Sequence, residues 1–259
     1  MTERAGRAWR LLATGLAFSA FGLGGLLLWL AYFPLLQWLD RDPVRRTRRA
    51  RLAIHHSFRL FVDIMRGLGL LRYRISGQER LARGGQLILA NHPSLIDVVF
   101  LIAMVPNADC VVKAGLAHNP FTRGPVRAAG YICNDSGVGV IDDCIASLRA
   151  GNNLIIFPEG TRTTPGRPLQ LQRGAANIAI RGRCDMTPVH IRCSPPALSK
   201  ELPWWKVPPR IIDFSFDVRD DIEVEPFLEV DGSEALAVRQ LTRYLSHYFS
   251  TEIPIHAIP

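Results

Sequence analysis

The chain has 259 residues, 48% of them apolar and 21% charged, which is enough for one sizeable core with an appendage and too apolar for a disordered protein. Its net charge is +8, yet residues 1–83 carry 15 arginines against five acids, while the remainder carries 16 bases against 18 acids. A basic excess confined to the third that also holds the longest apolar run points to an anionic membrane surface, and no nucleic-acid-binding motif accompanies it.

Arg4, Arg7 and Arg10 precede a stretch, 11–36, without a charged side chain. It exceeds the roughly 20 apolar residues that a bilayer span needs. It is too long for a cleaved signal peptide and lacks a clean small-x-small site. Trp29, Tyr32 and Trp38 stand where an aromatic belt would lie, and six arginines follow between positions 41 and 51. The positive-inside rule then puts residue 40 onward in the cytoplasm. The same run also fits a helix lying in the membrane interface. Residues 43–71 place Ile54, Phe58, Phe61, Met65 and Leu68 at helical spacing, with arginines in the first turns. That pattern predicts a basic amphipathic helix suited to a bilayer face. His55 and His56 are adjacent on it, so they share no face and do not form a metal pair.

From Arg72 the pattern becomes α/β. Strands are expected at Tyr73–Ser76, Gln86–Asn91, Cys110–Lys113, Tyr131–Asn134, Asn153–Phe157, Thr187–Cys193 and Arg210–Val218. Helices are expected at Leu95–Met104, Val138–Ala150, Gln172–Arg181 and Ser233–Ser250. Such alternation predicts a mostly parallel sheet flanked by helices, preceded by the N-terminal membrane-associated helical pair. The domain reading is 1–71 for the anchor and 72–259 for the α/β unit. Ser194–Pro209, rich in proline and carrying Trp204 and Trp205, reads as a loop. The five cysteines show no C-x-x-C spacing; they read as small core residues in a reducing compartment.

Two stretches carry chemistry. In Asn91-His92-Pro93-Ser94-Leu95-Ile96-Asp97, a histidine stands between an apolar strand and an apolar helix, and Pro93 marks the helix start. Asp97, just inside that helix, tilts back toward its N-terminus and can accept a proton from one imidazole nitrogen, leaving the other as a base. An incidental histidine at a helix start is the plainer alternative. In Phe157-Pro158-Glu159-Gly160-Thr161-Arg162, Gly160 allows close backbone approach and Arg162 offers a planar fork for phosphate or carboxylate. Glu159 either binds an acceptor hydroxyl or holds a neighbouring loop. A solvated turn with a surface ion pair is the plainer alternative here.

Together these blocks resemble the N-H-x-x-x-x-D and F-P-E-G-T-R/S motifs of the glycerolipid acyltransferase family, whose best-known members are 1-acyl-glycerol-3-phosphate acyltransferases. Lys113 in Val111-Val112-Lys113-Ala114, Arg173-Gly174-Ala175 and Thr187-Pro188-Val189 are similar to further family segments. The resemblance implies acyl transfer from acyl-CoA or acyl-carrier protein, as donor substrate, to a lysolipid hydroxyl. It implies His92 as general base, Asp97 as its orienting partner, and Glu159, Gly160, Thr161, Arg162, Lys113 and Arg173 as substrate-binding residues, with no metal and no cofactor. The oxyanion donors would be backbone groups near Ser94 or Gly160. The expected location is the membrane, with the active site on the cytoplasmic side and membrane lipids as partners. One departure stands out: Ser136 occupies the position of an arginine that the family uses to hold the acceptor phosphate. Arg123, Arg127, Arg162 or Arg173 would have to compensate, or the acceptor lacks a phosphate. A lipid hydrolase, and a lipid-binding scaffold without turnover, are the alternative readings.

Overall fold

The computed structural model describes residues 3–119, 122–134, 139–164, 168–200, 205–229 and 233–252. Ser136 and Trp204 lie outside these residues. The uncharged run forms one continuous rod made of α1 (Glu3–Leu27), a π-helical turn (Leu28–Tyr32) and α2 (Phe33–Leu39). Asp42 then caps α3 (Pro43–Gly67), its carboxylate accepting from the Val44 N–H at 2.9 Å while Pro43 fills the first turn. Helix α3 folds back on α1. The Trp9 indole donates to the Leu68 carbonyl at 3.1 Å, and Phe21 packs between Phe58 and Phe61 at 5.5 and 4.7 Å. Helix α3 stops at Gly67 rather than at 71, because Leu71 is already paired in a strand.

Beyond it come β1 (Leu71–Ser76), β2 (Leu87–Ala90), α4 (Asp97–Met104), β3 (Ala108–Val112), α5 (Ala114–His118), α6 (Arg123–Ala128) and β4 (Ile132–Cys133). They are followed by α7 (Val140–Arg149), β5 (Asn153–Ile156), α8 (Gly174–Gly182), β6 (Met186–Ser194), β7 (Ile212–Val218), α9 (Glu225–Leu228) and α10 (Glu234–Glu252). The seven expected strands are all present, although the fourth shrinks to two residues. The short α5, α6 and α9 carry too few residues to show a helical period.

The strands form one sheet in the order β1-β7-β6-β2-β5-β3-β4. Every neighbouring pair is parallel except β6 with β7. Alternate residues of a strand face opposite sides. Ile88 and Ala90 of β2 join a core with α1, α3 and α4, whereas Leu87 and Leu89 join a second core with α7, α8 and α10. The sheet is therefore covered on both faces, as a parallel sheet requires. Strands β2 and β5 are neighbours, but the chain leaves β2 toward the α4 face and β5 toward the α8 face. Diverging exits open a crevice at the carboxyl ends of these two strands, the place where open α/β sheets bind ligands.

Two residues assigned to the membrane by the sequence pattern face the protein instead. Trp29 packs against Gly124, where any Cβ would collide with its side chain, and the Arg123 guanidinium lies over the ring at 4.6 Å. Arg51 is buried, donating from Nη2 to Asp109 at 2.8 Å and from Nε to the Ala129 carbonyl at 2.8 Å. Asp109 is also buried and accepts from Ser147 Oγ at 2.6 Å and from the Cys110 N–H at 2.9 Å. Burial raises its carboxyl above the ordinary range, and Arg51 is the largest opposing influence. This pair ties the helical hairpin to the sheet. Removing one charge strands the other in the core. Arg51→Met is expected to destabilise the fold by about 3–5 kcal/mol in urea unfolding, and the double change Arg51→Met, Asp109→Leu by less than that single change. A double variant as unstable as Arg51→Met would contradict this account of the pair.

Candidate active site

The site is built where β2 and β5 end. Strand β2 is buried throughout, and its ladder with β6 is prolonged by a side chain. Asn91 accepts from the Ile191 N–H at 2.7 Å and donates to the Ile191 carbonyl at 2.8 Å, so both backbone groups of one residue hold it. The next residue, His92, is held by the loop after β5. Its N–H donates to Glu159 Oε1 at 3.0 Å and its carbonyl accepts from the Thr163 N–H at 2.7 Å. Thr163 Oγ1 donates to the same Glu159 oxygen at 2.7 Å. The two sequence blocks are thus fastened through the backbone of the histidine.

The His92 ring is stacked on Phe157, centroids 4.1 Å apart at 23°. Its Nδ1 lies 3.1 Å from Asp97 Oδ2, and the side chain keeps 16% exposure. Asp97 has none. The same Oδ2 accepts from the Ser94 N–H at 2.7 Å. Asp97 Oδ1 and Ser94 Oγ are buried without a hydrogen-bond partner among the described residues. Helix α4 begins at Asp97, two residues later than the sequence pattern suggests. The Leu95 N–H is taken by the Leu198 carbonyl at 3.1 Å, which keeps residues 93–96 in a turn. Asp97 is consequently the first helical residue and faces back across that turn.

Burial pushes the Asp97 carboxyl up to about 6, against the opposing pull of the His92 hydrogen bond and charge. Burial also raises Glu159, with Thr163 and the His92 N–H opposing. An ionised Asp97 accepts the Nδ1 proton and so leaves Nε2 as a lone-pair acceptor at the partly exposed edge of the ring. The hydroxyl of Ser94 is fully buried and cannot serve as a nucleophile.

The other expected site residues divide. Glu159 is present but its Oε1 holds the histidine loop. Gly160 is exposed with φ +66°, the left-handed region that glycine tolerates, and Thr161 is half-buried beside it. Arg173 is exposed at the start of α8, adjoining the block because the Gln172 N–H donates to the Pro158 carbonyl at 2.7 Å. Lys113 is exposed at the end of β3, two strands from β2 in the sheet, or about 10 Å at ordinary strand spacing. Arg162 is drawn elsewhere, onto the Leu198 and Ser199 carbonyls at 2.8 and 3.0 Å. Arg123 sits on Trp29, and Arg127 is exposed on α6. Two backbone donors suggested for an oxyanion are occupied: the Ser94 N–H by Asp97 and the Gly160 N–H by the Phe157 carbonyl at 3.0 Å. Sequence reasoning missed Thr163, the Phe157 stack and the Asn91 clamp. A hydroxyl residue four positions after a carboxylate was the one available hint. A surface hollow of about 550 Å³ lined by Asp220, Asp221, Glu223, Tyr244 and Tyr248 opens at the other end of the sheet, beyond β7, away from His92.

A family model described as Acyltransferase matches residues 72–192. The 1-acyl-sn-glycerol-3-phosphate acyltransferase of Helicobacter pylori is 30% identical over 173 residues, 64% of this chain and 70% of that protein. Proteins of the same name from Pseudomonas aeruginosa and Saccharomyces cerevisiae are 26% and 28% identical, over 67% and 54% of this chain. The chain spans 66% and 50% of their lengths. The crystal structure of the 1-acyl-sn-glycerophosphate (LPA) acyltransferase from Thermotoga maritima matches with a TM-score of 0.65 at 20% identity, over 92% of this chain and 97% of that one. At that identity the match establishes the fold.

The titration of Asp97 has a measurable consequence. Its folded value of about 6 exceeds the ordinary 3.8, so the fold binds this proton more tightly than the unfolded chain does. The group penalises folding above about pH 6, and the penalty is relieved as pH falls toward 4. Asp97→Asn removes the buried charge. The variant is expected to melt above the wild type at about pH 8, with the gap roughly halved at about pH 5 and lost toward about pH 3. A pH-independent gap in thermal unfolding would contradict the buried-charge description.

Proposed function

The chain belongs to the acyltransferase family, and from that premise we propose that it moves a fatty acyl group from an acyl thioester to the hydroxyl of a lysolipid such as 1-acyl-glycerol-3-phosphate. The donor is acyl-CoA or acyl-carrier protein. The observation that carries the reading is the His92 Nδ1 to Asp97 Oδ2 contact at 3.1 Å, placed in the crevice between β2 and β5. Nε2 of His92 takes the proton of the acceptor hydroxyl as that oxygen attacks the thioester carbonyl. The tetrahedral adduct collapses, the carbon–sulfur bond breaks, and the proton passes from Nε2 to the departing thiolate. The products are an ester and a free thiol, and no acyl-enzyme forms. The buried Ser94 hydroxyl agrees with direct attack. Glu159 and Thr163 hold the backbone of His92. Gly160, Thr161, Lys113 and Arg173 border the acceptor and donor at the same end of the sheet.

A second acceptor class is favoured by two observations. Ser136 stands where the family pattern has an arginine, and Arg162 is engaged by two carbonyls. Both reduce the charge available to a phosphate, so a lysolipid without one is the alternative acceptor.

Residues 1–71 act as the membrane anchor of an acyltransferase unit at 72–259. The rod Ala5–Leu39 is 35 residues long and holds an 18-residue stretch of mean hydropathy 1.9, enough to cross a bilayer. Its contacts favour lying along the surface: Trp9 bonds Leu68, Phe18 meets Phe61, and Trp29 meets Arg123. These ties run along its length to the body of the protein. The opposite side exposes Leu12, Leu16, Leu23, Leu27, Leu30 and Trp38, and Arg41, Arg45, Arg48 and Arg49 are exposed at the start of α3. An apolar face with flanking arginines suits the interface of an anionic leaflet, on the cytoplasmic side.

The decisive assay is thiol release from acyl-CoA and from acyl-carrier protein with a panel of lysolipids. Release is expected to require an acceptor and to fall at least about 1,000-fold in His92→Ala. Release without acceptor would indicate a hydrolase, and none at all a scaffold. Saturation with lysophosphatidic acid but not with uncharged lysolipids would remove the second acceptor class. In vesicle flotation, replacing Arg45, Arg48 and Arg49 by serine is expected to weaken binding to anionic vesicles and leave binding to zwitterionic ones unchanged. Equal loss on both would contradict a headgroup role for these arginines.

A further inference from the structure

Outside residues 1–71, the described residues expose five large apolar side chains: Leu95, Leu116, Trp205, Leu236 and Tyr244. The first three, at 46%, 42% and 61% exposure, stand on the segments that leave the carboxyl ends of β2, β3 and β6. Strands β2, β3, β5 and β6 run parallel, so these ends share one edge of the sheet. The three side chains therefore stand around the mouth of the crevice that holds His92. Two of the segments touch, because the Leu95 N–H donates to the Leu198 carbonyl at 3.1 Å. The segment after β6 is also fastened to α1: Arg10 donates from Nε to the Pro208 carbonyl at 3.2 Å and from Nη2 to the Pro209 carbonyl. Trp205 precedes that tie by three residues, so the anchor and the mouth meet at this segment.

The exposed charges around the mouth have one sign. In the described residues of the segments after β2, β3, β5 and β6, the exposed charged side chains are all lysine or arginine, and Glu159 is buried. Lys200, Lys206 and Arg210 are exposed on the segment that carries Trp205. The first acid beyond it, Asp213, alternates onto the face of the sheet away from the anchor, since Ile212 and Phe214 join the anchor's core. At the other end of the sheet cations meet acids instead: Arg80 pairs with Asp220 at 2.9 Å and Arg83 with Asp221 at 2.8 Å. We propose that the crevice mouth is a second membrane contact, in which Leu95, Leu116 and Trp205 enter the interface of an anionic leaflet and Lys200, Lys206 and Arg210 meet its headgroups. Apolar tips among unneutralised cations, continuous with a helix that exposes Leu11, Leu12 and Leu16, match the two layers of such an interface. Tryptophan suits the boundary between them. The inference extends the reading of residues 1–71 as an interfacial anchor, and it concerns access of the lipid acceptor rather than the chemistry at His92.

Fluorine NMR of full-length protein labelled with 5-fluorotryptophan, in bicelles of phosphatidylglycerol and phosphatidylcholine, reads the contact without altering the segment. The Trp38 and Trp205 signals are assigned by their loss in Trp38→Phe and Trp205→Phe. Trp38 reports the anchor and Trp205 the mouth. A spin label near the headgroup end of the lipid acyl chain is expected to broaden both. Broadening of Trp38 alone overturns the second contact and leaves the anchor in place. Broadening of Trp205 alone retains the contact and removes the anchor, and broadening of neither overturns both. The pair Lys206→Ser, Arg210→Ser is expected to weaken the Trp205 broadening; an unchanged effect overturns the headgroup role. Turnover gives a second reading. The pair Leu116→Ser, Trp205→Ser is expected to lower it about tenfold with acceptor held in vesicles and to leave it unchanged with acceptor dispersed in neutral detergent. A loss confined to acyl-carrier protein as donor, with Trp205 unbroadened, would assign the mouth to an acidic protein and overturn the proposal.

Discussion

A carboxylate with no solvent exposure organises this site. Asp97 spends one oxygen on the His92 ring and the Ser94 backbone, and the other oxygen meets no donor among the described residues. Burying such a group is costly, and burial moves it far from its ordinary acidity. A fold selected only for stability would place an asparagine or an apolar residue there. The arrangement makes physical sense when the carboxylate's task is to fix one tautomer of a partly exposed imidazole and to carry the charge that develops on it. Local cost at a site, offset by packing elsewhere, is the usual pattern of a functional constellation.

The rest of the chain keeps that pair in register. The sheet supplies the position, because β2 and β5 are neighbours whose exits diverge to opposite faces. Asn91 then fastens the chain to β6 at the point where the ladder would end, and Glu159 with Thr163 fastens it to the loop after β5. These are hydrogen bonds to backbone groups, so the histidine is located by its main chain before its ring is considered. Phe157 limits the ring's rotation by stacking. Such support holds the imidazole in one orientation before any ligand arrives.

The strands were legible in the sequence because a doubly covered sheet writes itself as short apolar runs. The pair His92 and Asp97 was legible because both partners lie within one turn of chain. What escaped was contact across long sequence separations. Arg51 reads as one more basic residue of an amphipathic helix, since nothing local announces that Asp109 waits 58 positions later. Trp29 reads as a membrane-belt aromatic until Gly124 is seen to leave room for it. The start of α4 was misplaced because the donor that delays it bonds to Leu198, roughly a hundred residues away. Of the two roles that its residue type allowed, Glu159 is seen in the second, holding a neighbouring loop through the His92 N–H.

The central claim is that Asp97 sets the protonation of the His92 ring so that Nε2 is the free acceptor. Nitrogen-15 NMR of histidine-labelled protein in detergent micelles, with the His92 signals assigned by their loss in His92→Gln, tests it without substrate. At a pH where the ring is neutral, the account expects the proton on Nδ1, with its resonance shifted downfield by the carboxylate, and an unprotonated Nε2. A neutral ring carrying its proton on Nε2 would contradict it.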